Sequence, residues 1–297
     1  MTTASMFDTM LERVNAGDRL GAEELELLAG TPDILQVGML ADAVHRSLHA
    51  TRVTYLRVAL CPYDKPFTDA VSLAAREVRV TGKPESLDVA VTAIEAARAL
   101  AGERAVSAFS WLDIERLAGA DAAKGALQQL RAAGLDALAE FPLDRVTDPT
   151  VALEAILSAG YTHVRLTIEK TPADARAKLF IKAAALQDTY PAIQSINPLP
   201  TILDSLRPTT GYEDVKSVAL ARLAAPNIPD VQVDWLRYGP KLAQVALTFG
   251  ANDVDNVQAS DEAPDGRRRA PLEEVRRNIQ AAGFEPAERD GRFVLIG

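Results

Sequence analysis

Cysteine occurs once in the 297 residues, at Cys61. One thiol excludes an intrachain disulfide framework, and it excludes any zinc or iron–sulfur site built from several cysteines of this chain. Histidine is almost as scarce, with only His45, His49 and His163. The first two lie four apart on one face of an expected helix, a spacing that suits a metal pair. No third ligand stands near them in sequence, so they read as helix-surface histidines and no metal site is expected. Basic residues are outnumbered, 32 Lys and Arg against 41 Asp and Glu, for a formal net charge of -9. Nucleic acid needs clustered cations to meet its phosphates, so no such partner is expected. The one basic run, Arg267-Arg268-Arg269, sits among Asp261, Glu262, Asp265, Glu273 and Glu274 and reads as a solvated loop.

Long apolar runs and phosphate-binding glycine loops are missing as well. The opening MTTASMFDTMLERV holds neither a signal core nor a membrane span, which makes a cytoplasmic location the default and leaves no membrane partner expected. Neither G-x-x-x-x-G-K-[ST] nor G-x-G-x-x-G occurs, and TGKPE is too short to count as a phosphate site.

What the chain does contain is alternation. After helical segments MFDTMLERV, AEELELLAG and a third from about Pro32 to His49, with Thr31 as its N-cap candidate, eight β-branched runs follow. They are RVTYLRVAL, EVRV, RAVSAF, DALAEF, THVRLTI, AIQSIN, DVQVDW and ANDVD, separated by segments of helical period. Eight strands with helices between them predict an α/β fold, a TIM-type (β/α) barrel over 51–260. A doubly wound open sheet shares the same periodicity. Residues 1–50 form a helical lead-in packed on the barrel, and 261–297 a loop, the helix LEEVRRNIQAAG and a hairpin turning at Asp290-Gly291, all in one domain.

In such a barrel the chemistry gathers where strands end. Reading just past them gives Lys83, Glu140, Glu169 and Asp234 as acid–base candidates, and Arg237, Asn252, Asp253 and Asp255 as further polar groups. The plain alternative for each is a helix cap, which Asp113, Asp148 and Thr171 suit. As a set they describe an acidic mouth fit for a polar small molecule.

Two long segments resemble a known family. LERVNAGDRLGAEELELLAG with LADAVHRSLHATRVTY, and AALQDTYPAIQSINPLP with GYEDVKSVALARLAAPNIPDVQVDWLRYGPKLAQVALTFGANDVD, are similar to the radical S-adenosylmethionine enzymes of the futalosine route to menaquinone, above all aminofutalosine synthase. GFEPAERD resembles the synthase tail. The departures fall at the chemistry. Where the family carries C-x-x-x-C-x-x-C after its first strand, this chain reads LRVALCPYDKPF, and one thiolate cannot hold a [4Fe–4S] cluster. The glycine turn after the second strand shrinks to TGKPE, and Phe141 and Pro142 stand where the fourth strand should run into glycines. The resemblance therefore implies a degenerate, cluster-free member with no cofactor. It would be a non-catalytic partner of an intact radical SAM homologue, or a binder of a futalosine-type nucleoside or chorismate-derived compound. The alternative is an enzyme using Glu140, Glu169, Asp234 and Lys83 for acid–base chemistry on such a compound. Cys61 reads as a buried small hydrophobe. The best-kept segment places its ligand-binding expectation on Asp234, Arg237, Asn252, Asp253 and Asp255, with Asp234, Arg237 and Asp253 together at the mouth.

Overall fold

A computed structural model of the chain describes residues 3–67, 71–202, 206, 208–263 and 269–296, and the side chains of 6 onward among these. Eight parallel strands pair in chain order: β1 (Arg52–Pro62), β2 (Glu77–Thr81), β3 (Ala105–Ser110), β4 (Ala137–Pro142), β5 (Val164–Ile168), β6 (Ile193–Pro200), β7 (Asp230–Asp234) and β8 (Asp253–Gln258). Because β1 pairs with both β2 and β8, the sheet closes into a TIM-type barrel and the open-sheet alternative falls. Helices α4 (Leu87–Ala101), α5 (Trp111–Ala118), α6 (Ala123–Ala132), α7 (Pro149–Ser158), α8 (Arg176–Thr189), α9 (Gly211–Ala224) and α10 (Trp235–Leu247) fill the crossovers.

The lead-in helices α1 (Thr3–Asn15), α2 (Ala22–Gly30) and α3 (Ile34–His49) lie outside the barrel, with α3 packed on α9 and α1 on α3. The N-cap of α3 is Asp33, whose carboxylate accepts the Gln36 N–H, and not Thr31, which closes α2. Asp148 caps α7. Ser110 rather than Asp113 caps α5, with Asp113 completing a capping box from N3. Thr171 caps nothing; its N–H and hydroxyl donate to Asp144.

One strand face is apolar and meets the helices. Val106, Val164, Leu166, Val231 and Val233 are all buried there. The other face departs from an apolar packed interior, because alternation turns charged residues inward. Glu77 accepts from Arg165 at 3.0 and 2.6 Å, from Arg79 at 2.8 Å and from the Ser107 hydroxyl at 2.6 Å. Arg79 also reaches both oxygens of Asp255, at 3.0 and 3.1 Å. Burial pushes the Glu77 carboxyl up, but Arg165 and Arg79 outweigh it and hold it below the usual range.

The tail closes the opposite end. After α11 (Pro271–Ala281), β9 (Glu285–Glu288) runs parallel to the first half of β1, on the edge that β2 takes over from Val58. The chain turns at 290–293 and returns through a single antiparallel bridge, Arg289 to Leu295. Thus the expected hairpin has its first arm in the barrel sheet. Of the basic run, Arg267 and Arg268 lie outside the described residues, and Arg269 is half-exposed, 3.7 Å from Glu273. No described helix is long and apolar enough to cross a membrane.

Candidate functional site

All eight strands, or the residues just past them, line one cavity of about 580 Å³ at the C-terminal mouth of the barrel. Asp234 ends β7 and caps the turn that opens α10, accepting the Arg237 N–H at 2.8 Å. That turn is set apart by a break at Gly239 (φ 78°) before Pro240. It holds Arg237 over the mouth, 3.5 Å from Asp234 and 3.7 Å from Glu140 on β4. Burial raises the pKa of both carboxyls, more than the Arg237 charge lowers them. Glu140, Asp234 and Arg237 are therefore one group.

Glu169 and Lys83 line the same cavity without an ion pair to that group among the described residues. Glu169 is fixed by backbone. Asp144 accepts the N–H groups of Glu169, Lys170 and Thr171 at 2.7, 2.9 and 3.1 Å, which clamps the turn after β5. Among the described residues the Glu169 carboxylate meets Arg145 at 3.6 Å and Lys170 at 3.9 Å. Lys83 is exposed on the rim. The turn before it needs Gly82, where φ is 102° and a Cβ would come 2.5 Å from the Tyr63 ring.

The remaining expected residues lie deeper. Asp253 opens β8 at the far end of the barrel and is fully buried. It accepts from Arg289 at 2.6 Å on each oxygen, from Gln232 at 2.7 Å and from the Thr54 hydroxyl at 2.5 Å. The expected trio of Asp234, Arg237 and Asp253 at the mouth is thus a pair. Strand β8 begins at Asp253, so its side chain meets the barrel floor and only its later residues reach the opening. Asn252 also serves the floor, accepting from Arg222 and the Val231 N–H and donating to Asp230. Asp255 sits one layer beneath the mouth, locked to Arg79.

Asn256 and Phe109 are among the cavity residues that escaped the sequence reading. Asn256 donates to both Asp234 oxygens at 3.2 Å, and Phe109 lines the wall. Both carry positive φ, 61° and 54°. For a bulky residue such as Phe109 that conformation costs roughly 1–3 kcal/mol and is held by its surroundings. Nothing in composition announces it. The interior ions did leave a signal, in charges set between apolar residues of the strands: Glu77 and Arg79 in EVRV, Arg165 in HVRLT.

Residues 194–295 match the model of the CofH/MqnC C-terminal region. The chain is related to the CofH/MqnC radical SAM enzymes. It is 37% identical over 95 residues to the 5-amino-6-(D-ribitylamino)uracil-L-tyrosine 4-hydroxyphenyl transferase of Archaeoglobus fulgidus, 30% of this chain and 27% of that enzyme. With the aminodeoxyfutalosine synthase of Streptomyces coelicolor it shares 34% identity over 93 residues, 29% of this chain and 24% of the synthase. The matches thus span about a quarter of the length of these curated relatives. The barrel superposes on methylornithine synthase with a TM-score of 0.65 at 15% identity, over 94% of this chain and 97% of that one. For the hydrogenase maturase HydG of Carboxydothermus hydrogenoformans the TM-score is 0.64 at 11% identity, over 96% and 80%. These two likenesses concern the fold.

Radical SAM relatives imply a [4Fe–4S] cluster, and this donor set does not fit one. Cys61, the single thiol, is fully buried near the end of β1. Its neighbour Leu60 lines the cavity, so alternation turns Cys61 to the other face, where burial raises the thiol pKa. No grouping of three His, Cys, Asp or Glu side chains suited to a metal exists among the described residues. Of the histidine pair expected on a helix surface, His49 is partly exposed, but His45 is fully buried and stacked on Phe284 at 4.7 Å.

Proposed function

We propose that this protein is a cluster-free relative of the futalosine-route and CofH-type enzymes that works by binding a small polar molecule, a futalosine-type nucleoside or a chorismate-derived compound, at its barrel mouth. In that role it acts beside an intact radical SAM homologue in menaquinone biosynthesis and performs no radical chemistry itself. The observation that carries this reading is the division within the barrel: the mouth keeps a cavity with a carboxylate–guanidinium group, while the one thiol faces away from it. A cluster needs three thiolates converging on the mouth, and one buried thiol of raised pKa supplies none in usable form.

The test has two arms. After anaerobic reconstitution with iron and sulfide, the protein is expected to stay colourless, and Cys61→Ser to change nothing in metal content. A brown protein whose iron is lost in that variant overturns the reading. Calorimetry with futalosine-type nucleosides and chorismate-derived acids, and native mass measurement with an intact aminodeoxyfutalosine synthase, are expected to show at least one association. None at all would remove both the binder and the partner roles.

A second reading gains support from the raised pKa values of Glu140 and Asp234, which suit proton transfer. Under it, Glu140, Asp234, Glu169 and Lys83 act as acid–base groups on the bound compound. Turnover of a bound nucleoside that Glu140→Gln abolishes without loss of binding would favour it over the non-catalytic role.

A further inference from the structure

The mouth holds more acceptors than it satisfies. Glu140 accepts no hydrogen bond among the described residues, and its nearest cation, Arg237, stands at 3.7 Å, beyond hydrogen-bond reach. Glu169 is in the same condition, with Arg145 at 3.6 Å and Lys170 at 3.9 Å. Both carboxylates line the one cavity. Asp234 differs, because its oxygens already take the Arg237 N–H and the Asn256 amide.

The guanidiniums of the mouth, by contrast, are already offset in charge. Arg79, which lines the cavity, gives its donors to Glu77, Ser107 and Asp255. Arg237 makes no side-chain hydrogen bond among the described residues, but Glu140 and Asp234, at 3.7 and 3.5 Å, offset its charge. Only Lys83 lacks a counter-ion among the described residues, and it is exposed at the rim. An anionic ligand entering the cavity would meet Glu140 and Glu169, and the guanidinium there, Arg237, has its charge already offset by Glu140 and Asp234. A ligand bringing N–H donors would complete two half-buried acceptors, and charge-assisted bonds of this kind are the strong ones. The walls, Leu60, Leu112, Ile202 and Leu236, are apolar and suit a hydrocarbon or ring body.

We infer that the mouth selects a small molecule with an apolar or ring body bearing an amine or amidine group, which Glu140 and Glu169 receive. This rests on the mouth being the binding site, and it separates the two ligand classes left open above, favouring an aminated nucleoside over a chorismate-derived acid.

Benzamidine, benzamide and benzoate share one ring and nearly one shape while carrying charge of +1, 0 and -1, so they test the inference directly. Ligand-observed NMR titration of the full chain with each is expected to show benzamidine binding about tenfold or more tighter than benzoate, with benzamide between. Glu140→Gln and Glu169→Gln should each cut the benzamidine affinity at least about threefold, with the melting temperature within a degree or two of the parent. Benzoate binding as tightly as benzamidine, or benzamidine binding untouched by both variants, overturns the inference. If benzoate binds and Leu236→Arg abolishes it, the mouth remains a binding site and only the amine selectivity falls. If benzamidine fails to bind, the selectivity falls too, and the nucleoside titration then decides the mouth separately.

Discussion

Asp234 and Asp253 are both strand carboxylates paired with arginine, and their surroundings assign them opposite work. Asp253 has no exposure and spends both oxygens on Arg289, Gln232 and Thr54. Substituting Asp253 with Ala leaves the Arg289 guanidinium buried without its counter-charge, which costs about 3–5 kcal/mol. Arg237 instead keeps partial access to water, so Arg237→Ala should cost less than about 1 kcal/mol while shifting ligand affinity, upward for a cationic ligand because the charge that competes for Glu140 is gone. Urea unfolding of the two variants beside their titrations will check the split. Equal destabilisation by both would make the mouth group scaffold. The sequence carried half of this distinction. It placed the carboxylates at strand positions with the right parity, because side chains alternate with a period of two. It could not tell a strand's first residue from its last, and Asp253 is a first residue. Nor could it pair Glu77 with Arg165 or Asp253 with Arg289, since those partners are 88 and 36 positions apart and meet only when the barrel closes.

Among the elements, α3 carries a titration that its spacing alone does not reveal. His45 and His49 share a helical face, as their i, i+4 placement requires, but at His45 that face turns inward. His45 lies flat on Phe284, just past α11, and burial first, then the charge of Arg222, lowers its pKa to about 3. The unfolded chain protonates this imidazole near pH 6.5, while the folded one keeps it neutral. Stability contributed by the neutral form is therefore whole above pH 6.5 and is lost as pH falls from there toward 3. His49, lowered to about 4 by burial and Arg222, acts in the same sense. Between pH 7.5 and 5 the His45 term should remove about 1–2 kcal/mol of unfolding free energy. His45→Phe, which keeps a ring against Phe284, should flatten that part of the pH dependence. A profile equally steep in the variant would place the acid lability elsewhere. Amphipathic spacing made the helix itself readable, and the strands likewise. What a face packs against was not, because α3 docks on α9 and His45 is covered by Phe284, both arriving from the far end of the chain.

At the scale of the whole molecule, the C-terminal tail is a wall of the barrel and not an appendage to it. Strand β9 supplies the edge that β1 needs over Arg52–Tyr55, where β2 has not yet begun. Beyond it, Arg289 enters the barrel to neutralise Asp253, the Gly291 carbonyl accepts from Arg165 at 2.8 Å, and the Phe293 ring lies 4.2 Å from the Arg289 guanidinium. Gly291 is required there because a Cβ would fall 2.4 Å from a Glu77 oxygen and 2.7 Å from Ala105. The tail thus touches β2, β3, β5 and β8 from beneath, and the ionic column that it anchors rises through Glu77 and Arg79 to the underside of the mouth. Deleting 285–297 would expose one edge of β1 and leave Asp253 without its cation inside a low-dielectric barrel, a loss of about 3–5 kcal/mol for the ion alone out of the 5–15 that a domain usually holds. The truncated chain is expected to lose cooperative unfolding, read as a broad thermal transition with binding of an apolar dye at room temperature. Deleting only 295–297 keeps β9, Arg289, Gly291 and Phe293, and removes the partly exposed Leu295 and one backbone bond from Ile296. That shorter truncation should unfold in a single sharp transition a few degrees below the parent at most. If the long truncation melted as sharply as the short one, the ion pairs at the barrel floor would be incidental to the fold, and the polar interior would need another cause.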